Sequence, residues 1–171
     1  MIKTILLLLG LSSLSFAQVL GDPLALTQRT FGSKSVEVEN IILNDTQMNQ
    51  LSKMAMQKID SKLYRIYIAK NESKTVGYGV LMNKKVRTKT AIALYLIDTS
   101  GKIKTIEIVA FNEPIEYLPS KTWLDVFDGK TLNNPIKLNQ DIPTTTGATL
   151  SARSIADGAR AALALLEITQ Q

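Results

Sequence analysis

A run of hydroxyl side chains ends at a glycine just before the last apolar repeat of the chain. Residues 141–152 read Asp-Ile-Pro-Thr-Thr-Thr-Gly-Ala-Thr-Leu-Ser-Ala and lead into a helical pattern. The free N–H groups and the positive dipole end of a helix favour an anion, and Gly147 permits a backbone conformation that a Cβ would forbid. The segment therefore predicts a phosphate site. A simpler alternative is that Thr146 or Thr149 only caps the helix.

Two residue types are missing from the sequence, which restricts the chemistry it can perform. The 171 residues include no Cys and no His. Their absence excludes disulfides, Cys/His zinc sites, thiol nucleophiles and Ser-His-Asp triads. Redox chemistry would therefore need an imported organic cofactor, and we expect no metal site.

The composition is that of one globular domain, with 45% hydrophobic and 20% charged residues. A net charge of +5 raises the possibility of a nucleic-acid partner. The basic residues cluster only at 84–87 and 102–104, however, and both clusters lie beside expected turns. We interpret them as solvated hairpin tips and expect no nucleic-acid partner.

The hydroxyl segment resembles the flavinylation motif of the FMN-binding domain family. This family occurs in the periplasmic subunits of Na⁺-translocating NADH:quinone reductase and Rnf-type complexes, and in stand-alone exported proteins. Its pattern is an Asp, a short spacer, Ser/Thr-Gly-Ala-Thr and commonly two more hydroxyl residues before a helix. Ala152 departs from the second of these hydroxyls, whereas Leu150 and Ser151 continue the pattern. The positions that match are Asp141, Thr144, Thr146, Gly147, Ala148 and Thr149.

Weaker similarities extend the resemblance over about residues 74 to 168. They are Gly77-Tyr78-Gly79 in an expected strand, the strand end Ala110-Phe111-Asn112-Glu113-Pro114, and the helix end formed by Trp123, Phe127, Gly129 and Lys130.

The resemblance implies a covalent flavin. By this similarity the Thr149 hydroxyl is joined to the phosphate of FMN in a phosphodiester, which a Mg²⁺-dependent flavin transferase installs from FAD with release of AMP. Asp141 and Thr144 would be read by the transferase, and Arg153 would add charge compensation. The expected cofactor-binding residues are Thr146, Gly147, Ala148, Thr149, Leu150, Ser151, Glu113 and Trp123.

Four residues are candidates for contact with the flavin ring or its ribityl chain. Trp123 is the first candidate wall, with Leu150, Tyr78 and Glu113 next. For Trp123 a core position is the alternative, and for Glu113 a role in forming a turn.

The resemblance implies an exported flavoprotein that carries electrons between membrane or periplasmic redox partners. The chain has no Gly-x-Gly-x-x-Gly nicotinamide fingerprint and no evident acid/base pair, which favours a carrier over an enzyme with its own substrate. The alternatives are a small flavin-dependent reductase or reductase subunit, and an unflavinylated periplasmic binding or assembly module.

The start of the chain predicts export. Lys3 precedes an apolar run that ends at Ser15-Phe16-Ala17, the small-x-small form that a signal peptidase accepts. The stretch from Ile5 to Ala17 is shorter than the ~20 residues needed to cross a bilayer, which disfavours a retained anchor. We therefore expect a signal peptide at residues 1–17, a domain at 18–171 and a periplasmic location.

The elements that would carry the site follow from periodicity. Helical spacing and caps predict helices near Pro23–Gly32, Thr46–Ile59, Ser120–Phe127 and Leu150–Ile168, the last with an Arg153–Asp157 ion pair at i,i+4. An extended segment at 36–43 and short turns between apolar runs predict antiparallel pairing. Gly77 and Gly79 indicate a β-bulge, or else the close approach of a flat ligand. The expected fold is α+β, a sheet of about four or more strands between N-terminal helices and a C-terminal helix, with strands at Leu63–Ala69, Thr75–Met82, Thr90–Ile97 and Ile103–Ala110.

Overall fold

A six-stranded antiparallel sheet forms the centre of the protein, in a computed structural model that describes residues 18–170. The predicted signal peptide, residues 1–17, lies outside the described residues. The elements in chain order are β1 (Gln18–Val19), α1 (Pro23–Phe31), β2 (Ser35–Ile42), α2 (Asp45–Ala55), β3 (Leu63–Asn71), β4 (Lys74–Lys85), β5 (Thr90–Ile97), β6 (Ile103–Phe111), α3 (Lys121–Leu124) and α4 (Thr149–Thr169), with 3₁₀ turns at Ile115–Tyr117 and Asp125–Phe127.

The strands are ordered β1-β6-β5-β4-β3-β2 across the sheet, and each pairs antiparallel with its neighbours. Short turns between consecutive strands force this arrangement. The predicted single α+β domain, an antiparallel sheet flanked by N-terminal helices and a C-terminal helix, is confirmed. Because strand direction alternates, the turn between β4 and β5 lies at the same end of the sheet as the end of β6.

Helix α4 packs on one face of the sheet beside α2 and buries an almost continuous apolar surface. Its contact with β5 is close: the Tyr95 hydroxyl donates to the Ile155 carbonyl at 3.0 Å. A Cβ on Gly158 would collide with the same phenol ring. These contacts fix the position of α4, and with it the segment that precedes the helix.

Helix α1 covers the other face. A Cβ on Gly77 would collide with the Phe31 ring, and one on Gly79 would lie 2.5 Å from the Thr27 hydroxyl. The register between β3 and β4 also shifts at Ala69, opposite Gly77, so the predicted bulge is present there. The space that the alternative interpretation assigned to a flat ligand is filled by α1.

Two local predictions are wrong. Helix α2 ends at Ala55 rather than Ile59, because Met56 adopts the left-handed conformation with φ of 54°. Arg153 and Asp157 form no ion pair within 4.0 Å among the described residues.

Residues from other elements surround Asp157. The Gln57 amide donates to the Asp157 carbonyl at 2.5 Å and accepts from the Lys84 ammonium at 2.6 Å. These partners come from the end of α2 and from β4, so Asp157 lies half-buried beneath them. Burial raises the pKa of its carboxyl.

No helix within residues 18–170 is both long and apolar enough to cross a membrane.

Candidate functional site

The first turn of α4 is open. The residue before it, Ala148, provides no side-chain cap, and Ala152 is the first residue of the helix whose N–H is bonded, to the Ala148 carbonyl at 2.9 Å. Among the described residues, the N–H groups of Thr149, Leu150 and Ser151 have no acceptor. Three donors at the positive end of a 21-residue helix therefore remain available.

Gly147 turns the chain into this helix. Its φ of 79° lies in the left-handed region, which a residue with a Cβ adopts only with strain. The space around it is open, with no heavy atom of the described neighbours within 4 Å of where a Cβ would be. The glycine is thus needed for the backbone conformation, as the sequence predicts.

The hydroxyl groups of the motif differ in exposure. Thr149 is exposed, and its hydroxyl makes only a long bond, 3.3 Å, to the Thr145 carbonyl. Ser151 is 1% exposed, and within residues 18–170 its hydroxyl has no hydrogen-bond partner. The Thr145 hydroxyl is likewise buried and unpartnered among those residues. Thr144 and Thr146 are exposed on the same loop.

A cavity of about 400 Å³ opens at this helix end. Five consecutive residues of the predicted set, Gly147 to Ser151, line it, together with Arg87 and Tyr117. The Arg87 guanidinium lies over the Tyr117 ring at 4.8 Å from its centroid. The residues that line this cavity include three with free N–H groups and one arginine, and one of the three, Ser151, also has a buried hydroxyl without a partner among residues 18–170. Together these donors are suited to a phosphate.

Arg87 and Tyr117 were not predicted as site residues. Arg87 is in the basic cluster at 84–87, which the sequence analysis assigned to a solvated hairpin tip. It does lie at the tip between β4 and β5, but it also lines the cavity at the start of α4. The antiparallel order of the strands is the signal that could have found both residues, because it brings this tip beside the segment after β6.

Glu113 acts on the site through that hairpin tip. Its Oε1 accepts from the backbone N–H groups of Arg87 at 3.1 Å, Thr88 at 2.7 Å and Lys89 at 2.8 Å. Hydrogen bonds from Lys89 and Thr88 lower the pKa of the Glu113 carboxyl. The carboxylate therefore holds the backbone that carries Arg87, and Glu113 is not among the residues that line the cavity.

Trp123 lies in the core beneath the motif. It is 8% exposed, and its ring meets Phe127 edge to face with centroids 5.3 Å apart. The indole N–H donates to the Pro143 carbonyl at 2.8 Å. This geometry favours the core interpretation over a flavin wall. Tyr78 is also outside the cavity lining, half-buried against the main core.

Asp141 organises the loop that leads to the motif. Its carboxylate accepts from the Lys130 ammonium at 3.0 Å and from the N–H groups of Ile136 at 3.1 Å and Lys137 at 2.9 Å. Burial opposes its ionisation, but the Lys137, Lys130 and Ile136 bonds outweigh burial and lower its pKa. Asp141 is mostly enclosed, whereas Thr144 on the same loop is exposed.

The site contains no general base for Thr149. The only side chains from outside the motif that line the cavity within the described residues are Arg87 and Tyr117, and neither is a carboxylate. A threonine hydroxyl is a poor nucleophile without a base, so its modification requires a group supplied from elsewhere. The described residues also hold no cluster of three or more His, Cys, Asp or Glu suited to a metal.

Comparison of the chain with known protein families, with curated proteins and with solved structures finds no match.

Proposed function

We propose that this protein carries FMN covalently on Thr149 and transfers electrons outside the cytoplasmic membrane. One observation carries the proposal. Ser151, whose hydroxyl is buried and has no partner among residues 18–170, lines a cavity at the uncapped start of a 21-residue helix, beside the exposed Thr149. Together with the resemblance of Asp141 to Ser151 to the flavinylation motif, this favours a phosphate ester at Thr149 over a simple helix cap.

The residues present fit a phosphoryl group. The N–H groups of Thr149, Leu150 and Ser151 are free to donate, and the Ser151 hydroxyl gains the partner that it lacks. Unpaired buried hydroxyls cost free energy, on the order of 1–3 kcal/mol, and a phosphate oxygen would remove that cost. These residues would hold the phosphate, and Gly147 shapes the turn that presents it.

Bound FMN would supply the one- and two-electron chemistry that the side chains lack. Two side chains with apolar surface line the cavity: Leu150, which is 46% exposed, and Tyr117, which is half-buried. Such side chains bind a flat ring while leaving an edge accessible to a partner. The cavity contains no acid/base residue for a second substrate, which favours a carrier over a reductase.

The attachment would be carried out by another enzyme. In the transfer, the Thr149 oxygen forms a bond to the FMN phosphorus of FAD, the pyrophosphate P–O bond breaks, and AMP leaves. The hydroxyl proton goes to a base of the Mg²⁺-dependent flavin transferase, because no base lines the site. Exposure of Thr144, Thr146 and Thr149 leaves the motif accessible to that enzyme. The electron partners would be membrane or periplasmic proteins.

The test is to express the exported protein with and without a flavin transferase and to denature it before analysis. We expect in-gel flavin fluorescence and the mass gain of one FMN minus water on the peptide that contains Thr149, only with the transferase. Thr149→Ala should abolish both signals, and Thr149→Ser should retain them, because serine keeps the hydroxyl. Thr146→Ala is the matched control for losing a hydroxyl from the same loop.

The outcomes separate the alternatives. Fluorescence that survives denaturation in Thr149→Ala would place the flavin on another residue. A wild-type protein that remains unmodified with an active transferase would contradict the proposal and favour a binding or assembly module.

A further inference from the structure

The hairpin tip between β4 and β5 carries Arg87, which among the described residues is the one charged residue that lines the cavity. Arg87 belongs to an exposed turn, yet two contacts define its position. Its guanidinium lies over the Tyr117 ring at 4.8 Å, and its backbone N–H is bound by Glu113 at 3.1 Å. An arginine in such a setting is more ordered than a solvated one.

Glu113 gives this tip its shape. One carboxylate oxygen accepts three consecutive backbone N–H groups, those of Arg87, Thr88 and Lys89, and also the Thr88 hydroxyl at 3.3 Å. Hydrogen bonds to a charged acceptor are about twice as strong as neutral ones. The tip is thereby held to the segment after β6, which also carries Tyr117.

The electrostatics of this arrangement are unfavourable when the cavity holds no anion. Arg87 lines the same cavity as the three residues whose N–H groups are free at the positive end of the α4 dipole, so positive charge is concentrated around this cavity. Proteins rarely order a cation at a helix N-terminus unless a negative charge joins them. The buried Ser151 hydroxyl, with no partner among residues 18–170, indicates independently that a ligand atom belongs there.

We propose that Arg87 is the counter-charge of the phosphate at this helix end, and that Glu113 and Tyr117 position it for that role. The inference rests on the proposed function, because the phosphate is that of the FMN on Thr149. It adds to the motif a residue from a different part of the fold, and it makes the flavinylated protein, rather than the unmodified one, the electrostatically satisfied state.

The effect of Arg87→Ala on the melting temperature should depend on whether FMN is attached. In the unmodified protein, Arg87→Ala removes repulsion and should leave the melting temperature unchanged or raise it. In the flavinylated protein the same substitution removes an attraction and should lower it. Flavinylation should therefore raise the melting temperature less in Arg87→Ala than in the wild type, by about 2 °C or more.

Calorimetry of both forms of each variant measures this difference. Lys89→Ala is the matched control, because it removes the same charge from the same tip but does not line the cavity. Flavinylation should raise the melting temperature of Lys89→Ala as much as that of the wild type. Arg87→Lys keeps the charge and should retain most of the gain. The extra gain of the wild type over Arg87→Ala should also shrink at high salt, because surface charges are screened.

The failures of the two proposals are distinguishable. If the wild type and Arg87→Ala both carry FMN on Thr149 and gain equally, the role of Arg87 is refuted while the proposed function stands. If the wild type receives no FMN, the proposed function fails, and inorganic phosphate then decides the role of Arg87. A phosphate-dependent rise in the melting temperature that is lost in both Arg87→Ala and Ser151→Ala supports it, and an equal rise in all three proteins overturns it.

Discussion

The start of α4 differs from the starts of α1 and α2 in side-chain capping. Helix α1 begins after Asp22, whose carboxylate accepts from two backbone N–H groups at 3.3 Å. Helix α2 begins with a capping box, in which Asn44 and Gln47 accept each other's backbone N–H at 2.9 and 3.0 Å. Helix α4 is the longest, and the residue before it, Ala148, caps nothing. The first turns of α1 and α2 are thus stabilised by side-chain caps, whereas three N–H donors in the first turn of α4 have no acceptor among the described residues.

Helix α4 can leave its first turn open because its stability comes from elsewhere. Beyond that turn it is buried against the sheet and α2. Arg160, 8% exposed, donates to the carbonyls of Asn134 at 2.9 Å, Pro135 at 3.0 Å and Met54 at 3.0 Å. Arg160 in α4 and Arg87 at the hairpin tip thus differ: Arg160 is bonded to backbone carbonyls inside the protein, whereas Arg87 lines the cavity at the start of α4.

The largest loss of stability should come from substitution of the buried Arg160. Arg160→Ala leaves three carbonyls without their donor and should lower the free energy of unfolding by about 3 kcal/mol, because hydrogen bonds from charged groups are the stronger ones. Urea denaturation of the unmodified protein measures this. Arg153→Ala, at an exposed position of the same helix, is the control and should change stability by no more than about 0.5 kcal/mol. A similar loss in both variants would show that Arg160 does not anchor α4.

Substitutions at two glycines distinguish the effect of backbone strain on stability from an effect on flavin attachment. Gly147 and Gly129 have φ of 79° and 73°, and a Cβ at either would meet no described heavy atom within 4 Å. Substitution of either by Ala should cost about 1–2 kcal/mol, since the strain is the same. Only Gly147→Ala should also reduce the yield of flavin on Thr149, because it changes the turn into α4. Equal flavin yields in the two variants would contradict a special role for Gly147.

A smaller change in the free energy of unfolding is expected from substitutions at the starts of α2 and α4. Asn44→Ala should lower the free energy of unfolding by about 1 kcal/mol, because it removes a capping box. Thr149→Ala in the unmodified protein should change it by less than about 0.5 kcal/mol, since Thr149 caps nothing. Thermal denaturation of both variants makes the measurement. A loss of about 1 kcal/mol in Thr149→Ala would support the interpretation of Thr149 as a structural residue.

Local patterns predicted most of the secondary-structure elements, although not the two-residue strand β1. Alternation and turn residues located the strands, and apolar periodicity placed α4 within one residue at each end. Gly147, Thr149 and Ser151 are neighbours in the sequence, so their meeting at one helix end required only the start of that helix. These predictions succeed because each depends on interactions within a few residues.

Predictions that depended on distant partners were weaker. Arg87 reaches the cavity only because the strand order places its hairpin tip there. Trp123 and Asp141 belong to the supports beneath the motif, which their residue types do not reveal. The predicted Arg153–Asp157 pair is not formed, and Asp157 lies half-buried beside Gln57, which comes from another element and donates to its backbone carbonyl. In each of these cases the surroundings of the side chain depend on tertiary contacts, which local sequence patterns do not specify.

The smallest effect concerns the acid stability of the hairpin tip. The pKa of Glu113 is lowered by hydrogen bonds from the N–H groups of Lys89 and Thr88. A carboxyl whose pKa is lowered by folding contributes stability that is complete above its unfolded pKa, near 4, and that is lost as the pH falls through the lowered value. Glu113→Gln keeps an acceptor but cannot titrate, so its melting temperature should fall less steeply than that of the wild type below about pH 4.

The control for that titration is Glu116→Gln, an exposed glutamate on the same segment whose side chain makes no hydrogen bond within residues 18–170. Its profile should follow the wild type. Because Glu113 holds the tip that carries Arg87, acid should also weaken the benefit of flavinylation in the wild type, and this loss should be smaller in Arg87→Ala, where the counter-charge is already gone. Parallel acid profiles for the wild type and Arg87→Ala in the flavinylated state would separate Glu113 from Arg87 and confine it to shaping a turn.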